Sequence, residues 1–151
     1  MRLTLHTDYA LRLLMLLAIE PDELHTIEEV ARRYGISRNH LMKVVQTLAQ
    51  GGFVTSLRGR SGGLRLAREA GSINLGAVVR ATEDGFDLVE CFDTARNTCV
   101  VAPACGLKSP LDQAVRAFLA VLDGYSLGDL VRNPRTLAGM RRYLADGASL
   151  Q

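Results

Sequence analysis

Two consecutive helix signals separated by a very short turn constrain the fold of this chain more than any other feature. Thr26-x-x-Glu29 is a capping box that opens one helix, and Gly35 is the signal that ends it. Ser37 then caps a second helix, which a Gly-Gly pair at 51–52 ends. The apolar residues of this second helix recur at i, i+3, i+4 and i+7: Leu41, Val44, Val45 and Leu48. The pattern predicts a helix, a three-residue turn and a second helix.

A glycine-rich hairpin is predicted directly after the second helix. Its strands are expected at residues 53–58 and 64–66, with residues 59–63 as the tip. Helix, turn, helix and hairpin in this order indicate a winged helix-turn-helix. The predicted fold class is therefore mainly α with a small β-hairpin wing, a winged helix-turn-helix plus a long C-terminal dimerisation helix.

Further helix boundaries follow from capping residues and prolines. Thr7 is expected to cap a first helix, and Asn74 to cap a fourth. Ser109-Pro110 is expected to open a longer helix, with the proline at its first position, and residues from 134 onward are weakly patterned. These signals divide the chain into a winged helix-turn-helix domain (1–82), a cysteine-containing cluster-binding loop (83–108), and a dimerisation helix with the C-terminal tail (109–151).

The distribution of charge indicates DNA as a partner, although a net charge of +2 alone says little. Residues 36–68 contain six Arg and Lys and no Asp or Glu, which is typical of a surface that faces phosphates. A solvated basic face is the alternative, but the stretch coincides with the second helix of the motif and with the wing. The start of such a helix can enter a major groove, and an arginine on a slim hairpin tip fits a narrow minor groove. The predicted DNA-binding residues are Arg38, Asn39, His40, Lys43, Gln46, Arg58, Arg60 and Ser61.

Three cysteines, Cys91, Cys99 and Cys105, lie in the predicted loop. Their C-x7-C-x5-C spacing lacks the C-x2-C pair of a zinc ribbon or a thioredoxin-type redox centre. Three unrelated buried thiols are one interpretation, since free cysteine packs as a small hydrophobe. A metal centre is the other, because the loop is non-periodic and thiolates favour zinc or iron–sulfur clusters. A cluster usually takes four ligands, so the fourth would be another side chain, a partner subunit or an exogenous molecule.

The helix predicted after this loop carries a single apolar stripe. The stripe could be intradomain core, but a dimer seam is favoured because the small winged domain can close without it. The predicted dimer residues are Leu111, Val115, Phe118, Leu119 and Leu122. A homodimer would bind pseudo-palindromic, double-stranded operator DNA. With no run of 18 apolar residues, no signal peptide and no catalytic motif, we expect a cytoplasmic protein that is neither membrane-bound nor an enzyme.

Four segments resemble the NsrR family of nitric-oxide-sensing bacterial repressors, which are relatives of the iron–sulfur regulator IscR. The segments are LTLHTDYALR at 3–12, YGISRNHLMKV at 34–44, VTSLRGRSGGLRL at 54–66 and CVVAPACGLKSPL at 99–111. The resemblance extends from Met1 to about Val131. It implies a homodimeric transcriptional repressor that senses nitric oxide through an iron–sulfur cluster and then releases nitric-oxide stress genes.

By position, the resemblance implies that Cys91, Cys99 and Cys105 hold the cluster and that Asp8 of the partner subunit supplies an oxygen ligand. From the sequence alone, Asp8 has the simpler role of an acid that complements the helix dipole. The resemblance favours a [4Fe-4S] cluster, with [2Fe-2S] as the alternative. IscR-like proteins have a histidine three residues after the last cysteine, where this chain has Lys108. Two alternative functions remain. One is an IscR-like iron–sulfur or redox-sensing regulator, and the other is a cluster-free DNA-binding protein with structural or zinc-binding thiols.

Overall fold

The computed structural model describes residues 2–57, 59 and 62–146. Seven α-helices and one antiparallel two-stranded hairpin are found in this part of the chain. In chain order they are α1 (Leu5–Ile19), α2 (Ile27–Tyr34), α3 (Arg38–Gln50), β1 (Val54–Leu57), β2 (Gly63–Leu66), α4 (Leu75–Thr82), α5 (Lys108–Asp123), α6 (Leu127–Val131) and α7 (Pro134–Asp146). The predicted fold class, mainly α with a β-hairpin wing, is confirmed.

Helix α1 is at the centre of the hydrophobic core and packs against α3, α4, α6 and β2. It begins before the predicted position, because Thr4 and not Thr7 is its N-cap. The Thr4 hydroxyl accepts a hydrogen bond from the Thr7 N–H at 3.2 Å, and Thr7 is buried in the first turn. Both threonines can cap a helix locally. A tertiary contact selects Thr4, whose N–H and hydroxyl donate to Glu83 Oε1 at 2.8 and 3.0 Å.

Helices α2 and α3 form the predicted helix–turn–helix. Gly35 ends α2 with a φ of +63°, a left-handed conformation that glycine adopts without steric cost. Ser37 caps α3 by accepting the His40 N–H at 3.2 Å. The predicted capping box of α2 is only half formed. Thr26 accepts the Glu29 N–H, but the Glu29 carboxylate forms an ion pair with Arg33 and faces His25 Nδ1.

The hairpin after α3 lies where it was predicted, although β1 begins one residue later and β2 one residue earlier than expected. Strands β1 and β2 pair from Val54 with Leu66 to Leu57 with Gly63. Leu64 is buried under the hairpin, and its backbone also pairs with that of His25, in the segment between α1 and α2. The wing is therefore tied at its base to the helix–turn–helix.

The chain after the cysteines folds back onto the core. Helix α5 begins at Lys108 without a side-chain cap, so Pro110 is at its third position and not at its first. Gly124 ends it, as predicted. Ser126 and Asp129 form a reciprocal capping box for α6, whose Leu127 is fully buried in the core beside α1. The segment from 134, whose sequence is weakly patterned, forms α7.

None of the helices in the described part of the chain combines the length and the apolar character that crossing a membrane requires.

Candidate nucleic-acid interface and metal centre

Helix α3 separates an apolar face from a polar one. Its stripe is buried in the core: Leu41, Val44, Val45 and Leu48. On the remaining surface Asn39, Lys43 and Gln46 are exposed. Amide side chains can pair with adenine in the major groove, and an ammonium group can bind phosphate. The geometry of α3 therefore supports its interpretation as a recognition helix.

Arg38, at the start of this helix, is exposed but engaged. Its Nε lies 2.5 Å from Glu28 Oε1 of α2, and its Nη1 contacts the Met42 sulfur. The hydrogen bond from Arg38 holds the pKa of Glu28 below its ordinary value. Since both groups are solvated, the pair is weak and exchangeable. Arg38 can therefore contact a base or phosphate only by leaving Glu28.

His40 differs from the other predicted DNA-binding residues of α3, because it is half-buried against α1. Its ring lies 4.9 Å from the Tyr9 ring and 6.2 Å from the His6 ring. His6 Nε2 also lies 3.1 Å from the Thr47 hydroxyl of α3. Burial, followed by the charge of His40, lowers the pKa of His6. These contacts join the first turn of α1 to the recognition helix.

At the wing, the predicted residues Arg58, Arg60 and Ser61 lie outside the described residues. Gly59 has a φ of +117°, as a tight hairpin tip requires. Arg65 on β2 is exposed opposite Thr55, next to the buried Leu64. Arg65 is a candidate phosphate contact that the predicted site did not include. The alternation of apolar and basic residues along β2 is the signal that could have found it.

The cysteine loop, residues 83–107, has little regular structure beyond two short 3₁₀ turns. Cys91 lies in the first turn, Cys105 directly follows the second, and the Cys99 N–H donates to Asn97 Oδ1. All three thiols are free and half-buried. Cys105 also lines an open cavity of about 660 Å³ between the loop and α5. The donors are thus accessible and not packed into the core.

The spacing of the thiols bears on what they can hold. Their sulfur atoms do not all lie within 4.8 Å of one another in the described part of the chain. A tetrahedral zinc ion with bonds of about 2.3 Å places its thiolates only about 3.8 Å apart. An iron–sulfur cluster offers separate iron atoms to separate thiolates, so it accepts a wider spacing. The three thiols are therefore not gathered closely enough for one tetrahedral ion, and the soft donor set is of the kind that iron–sulfur clusters use.

Asp8 lies in the first turn of α1, where its carboxylate is held by Arg12. Arg12 Nη2 and Nε lie 2.6 and 3.1 Å from its two oxygens. Both side chains are about 40% exposed, so another subunit or a metal can reach the carboxylate. Binding a metal would require Asp8 to give up part of this ion pair.

The apolar stripe of α5 is only partly covered. Its five predicted seam residues are all half-buried, and α5 has no fully buried residue. Leu122 packs against the domain core, and Val115 and Phe118 line a cleft beside Phe86 of the cysteine loop. Part of the stripe therefore packs against its own chain, as expected if it belongs to the intradomain core. Leu111 and Leu119 remain the clearest candidates for a contact with a second subunit.

The helix–turn–helix, the acid-free polar face of α3 and the hairpin wing together define a winged-helix, DNA-binding transcription regulator. The family profile described as Rrf2, an iron-dependent transcriptional regulator, matches residues 3–133. The chain belongs to the Rrf2 family of iron-dependent transcriptional regulators. It is thus a regulator and not an enzyme, as the sequence predicted.

Individual relatives agree with this assignment. The chain is 55% identical to the HTH-type transcriptional regulator NsrR of Bacillus subtilis over 134 residues, which cover 88% of this chain and 92% of the relative. It is 49% identical to NsrR of Bacillus licheniformis, over 88% of this chain and 94% of that one. The resemblance to NsrR seen in the sequence is therefore confirmed.

Solved structures share the fold. T. potens IscR superimposes with a TM-score of 0.69 at 24% identity, over 87% of each chain. CymR, the global cysteine regulator of B. subtilis, superimposes with a TM-score of 0.66 at 26% identity, over 87% of this chain and 97% of that one. The architecture is thus conserved across regulators of low sequence identity.

Proposed function

We propose that this chain is an NsrR-type repressor, which binds operator DNA as a homodimer and releases nitric-oxide stress genes when nitric oxide reacts with its iron–sulfur cluster. The observation that carries the proposal is the set of three free, half-buried thiols in one loop, of which Cys105 lines an open cavity. The 55% identity to NsrR of B. subtilis supports the choice of signal.

The proposed cluster ligands are Cys91, Cys99, Cys105 and Asp8 of the partner subunit. When bound, the cluster supplies iron that nitric oxide attacks, with [4Fe-4S] as the favoured form and [2Fe-2S] as the alternative. Carboxylate is a poorer ligand than thiolate for such iron, so the Asp8 position would be the most easily exchanged. Arg12 competes for the same carboxylate oxygens and would weaken this ligand further.

Glu83 connects the cysteine loop to the N-terminus of α1. It stands at the start of the loop, and its carboxylate accepts hydrogen bonds from the N–H and hydroxyl of Thr4. Two residues further along the chain, His6 contacts His40 and Thr47 of α3. A change in the loop can therefore reach the recognition helix through the first turn of α1, without passing through the core.

Helix α5 has a second connection to the DNA-binding domain. Arg80 of α4 donates two hydrogen bonds to Asp123 near the end of α5, at 2.6 and 2.7 Å. Helix α4 in turn packs against α1 and α3. If α5 forms the dimer seam, this bidentate pair helps to hold two recognition helices in register with the two half-sites of a pseudo-palindromic operator.

The proposed DNA contacts are distributed between α3 and the wing. Arg38, Asn39, Lys43 and Gln46 would face the major groove or its phosphates. Arg58, Arg60 and Ser61 of the wing would reach the backbone or the adjacent minor groove. His40 would act on the orientation of α3, because its half-buried ring packs against Tyr9 of α1.

The test is an anaerobic preparation of the full-length protein, with iron and sulfide analysis, a visible spectrum and operator binding before and after nitric oxide. We expect colour, stoichiometric iron and sulfide, and loss of operator affinity on exposure to the gas. Cys91→Ala, Cys99→Ala and Cys105→Ala should each be colourless with an intact helical spectrum, since none of these residues belongs to the core.

Val100→Ala is the matched control for the cysteine variants. Val100 is next to Cys99 and 92% exposed, so its truncation should leave iron content and colour unchanged. A coloured single-cysteine variant with normal iron would remove that residue from the ligand set. A cluster that survives nitric oxide while operator binding follows iron supply would instead support the IscR-like alternative.

A further inference from the structure

A tight turn at the end of α1 gathers carboxylates at one point on the surface, away from the cysteine loop. The Glu23 N–H donates to the Glu20 carbonyl at 3.2 Å, and Pro21 occupies the second position of the turn, which its fixed φ favours. One ligand atom each from Glu20, Glu23 and His25 lies within 4.8 Å of the others. The cluster opens into a surface groove of about 380 Å³.

The histidine in this cluster has a feature that carboxylates alone would not explain. His25 is 1% exposed, and its Nε2 has no hydrogen-bond partner among the described residues. This atom lies 3.1 Å from Glu20 Oε2, yet the direction of the contact is not that of a hydrogen bond. A buried imidazole nitrogen left without a partner costs free energy, unless another group uses its lone pair.

The other side of the ring has the support that metal-bound histidines typically have. His25 Nδ1 lies 3.4 Å from Glu29 Oε1, and Arg33 Nη2 holds that same oxygen at 2.9 Å. A proton on Nδ1 directed to a carboxylate leaves the lone pair of Nε2 free for a metal. The nearby Arg33 Nη1 and Arg141 Nη2 are already bound to Glu20 Oε2 and to the Ile19 carbonyl.

We propose that Glu20, Glu23 and His25 form a second metal site, which binds one divalent first-row transition-metal ion through two carboxylates and the His25 Nε2. One imidazole and two carboxylates suit Mn²⁺ and Zn²⁺, with water completing the coordination. The site is independent of the cysteine loop and of the nitric-oxide function.

The consequence of the ion would be structural. The backbone of His25 pairs with Leu64 of β2, with N···O distances of 2.8 and 3.4 Å. An ion that joins His25 to Glu20 would therefore tie the end of α1 to the base of the wing. Binding to the folded state alone raises its stability by mass action, so the ion should increase the melting temperature.

Mn²⁺ is the probe of choice, because thiolates bind it weakly and the cysteine loop therefore contributes little to the measured binding. Binding to the full-length protein is followed by the loss of the free Mn²⁺ signal in electron paramagnetic resonance. Glu23→Gln is the test variant, since this exposed side chain makes no ion pair among the described residues and its change should not affect folding. Asp22→Asn is the matched control, an exposed acid of the same turn that lies outside the cluster.

We expect one saturable Mn²⁺ site, binding at least about tenfold weaker in Glu23→Gln, and unchanged affinity in Asp22→Asn. Pulsed spectra should show a nitrogen coupling from His25, and excess Mg²⁺ should not displace the ion because Mg²⁺ prefers oxygen ligands. Absence of saturable binding below millimolar Mn²⁺, equal losses in the two variants, displacement by Mg²⁺, or absence of the nitrogen coupling would each overturn the proposal.

Discussion

Replacing Asp8 by alanine separates the two roles that this residue can have. As a helix-end acid, Asp8 stabilises α1 through the helix dipole and through its ion pair with Arg12. As a cluster ligand, it would also determine the properties of one iron atom. Only the second role predicts a change in the visible spectrum and in the rate of reaction with nitric oxide.

The structural contribution of Asp8 is small. The dipole term is about 0.3–1 kcal/mol. An ion pair between side chains that are about 40% exposed, four residues apart on a helix, adds about 0.3–0.5 kcal/mol after solvent screening. The sum of about 0.6–1.5 kcal/mol corresponds to a decrease of about 1–6 °C in melting temperature for a chain of this length. Asp8→Ala should therefore remain folded, and a change in its spectrum cannot be attributed to unfolding.

Arg12→Ala is the control, since it removes the ion pair and leaves the carboxylate. If Asp8 is a ligand, Asp8→Ala shifts the anaerobic spectrum and alters the rate of the nitric oxide reaction, whereas Arg12→Ala keeps the wild-type spectrum. An unchanged spectrum in Asp8→Ala would refute the ligand assignment. A heterodimer of one Asp8→Ala chain and one chain lacking all three cysteines tests the reach across subunits. Its single cluster should have the wild-type spectrum if Asp8 comes from the partner.

Three further predictions concern DNA contacts, packing and assembly. Lys43→Ala should weaken operator binding and lower the salt dependence by about one ion, and an unchanged slope in anisotropy titrations would exclude a phosphate contact. Gly128→Ala should destabilise the fold by about 1–3 kcal/mol, because the added β-carbon would lie 2.9 Å from the Gly71 nitrogen. Gly139 has open space around it, so the melting temperature of Gly139→Ala should be no lower than that of the wild type. Leu119→Asp should yield a monomer, and a persistent dimer in sedimentation would place the seam elsewhere.

Local chemistry accounts for most of the fold that could be predicted. The Ser37 cap, the left-handed Gly35 and the stripe of α3 act within one or two helical turns, and the structure has them as predicted. The errors lie where two local solutions were available. Thr4 and Thr7 can both cap α1, and the distant Glu83 decides between them. Similarly, a proline is tolerated throughout the first turn of a helix, so Pro110 alone did not fix the start of α5, which lies two residues before it.

The candidate site divides in the same way. The sequence by itself determined the helix–turn–helix, the acid-free face of α3 and the three thiols of the loop, because caps, periodicity and spacing operate over a few residues. Tertiary structure alone decided that His40 packs against α1, that Leu122 joins the core, and that His25 is buried beside Leu64 with one ring nitrogen unpartnered among the described residues. The physical reason is that burial and side-chain partners depend on segments far apart in the chain, whose approach is set by packing of the whole core.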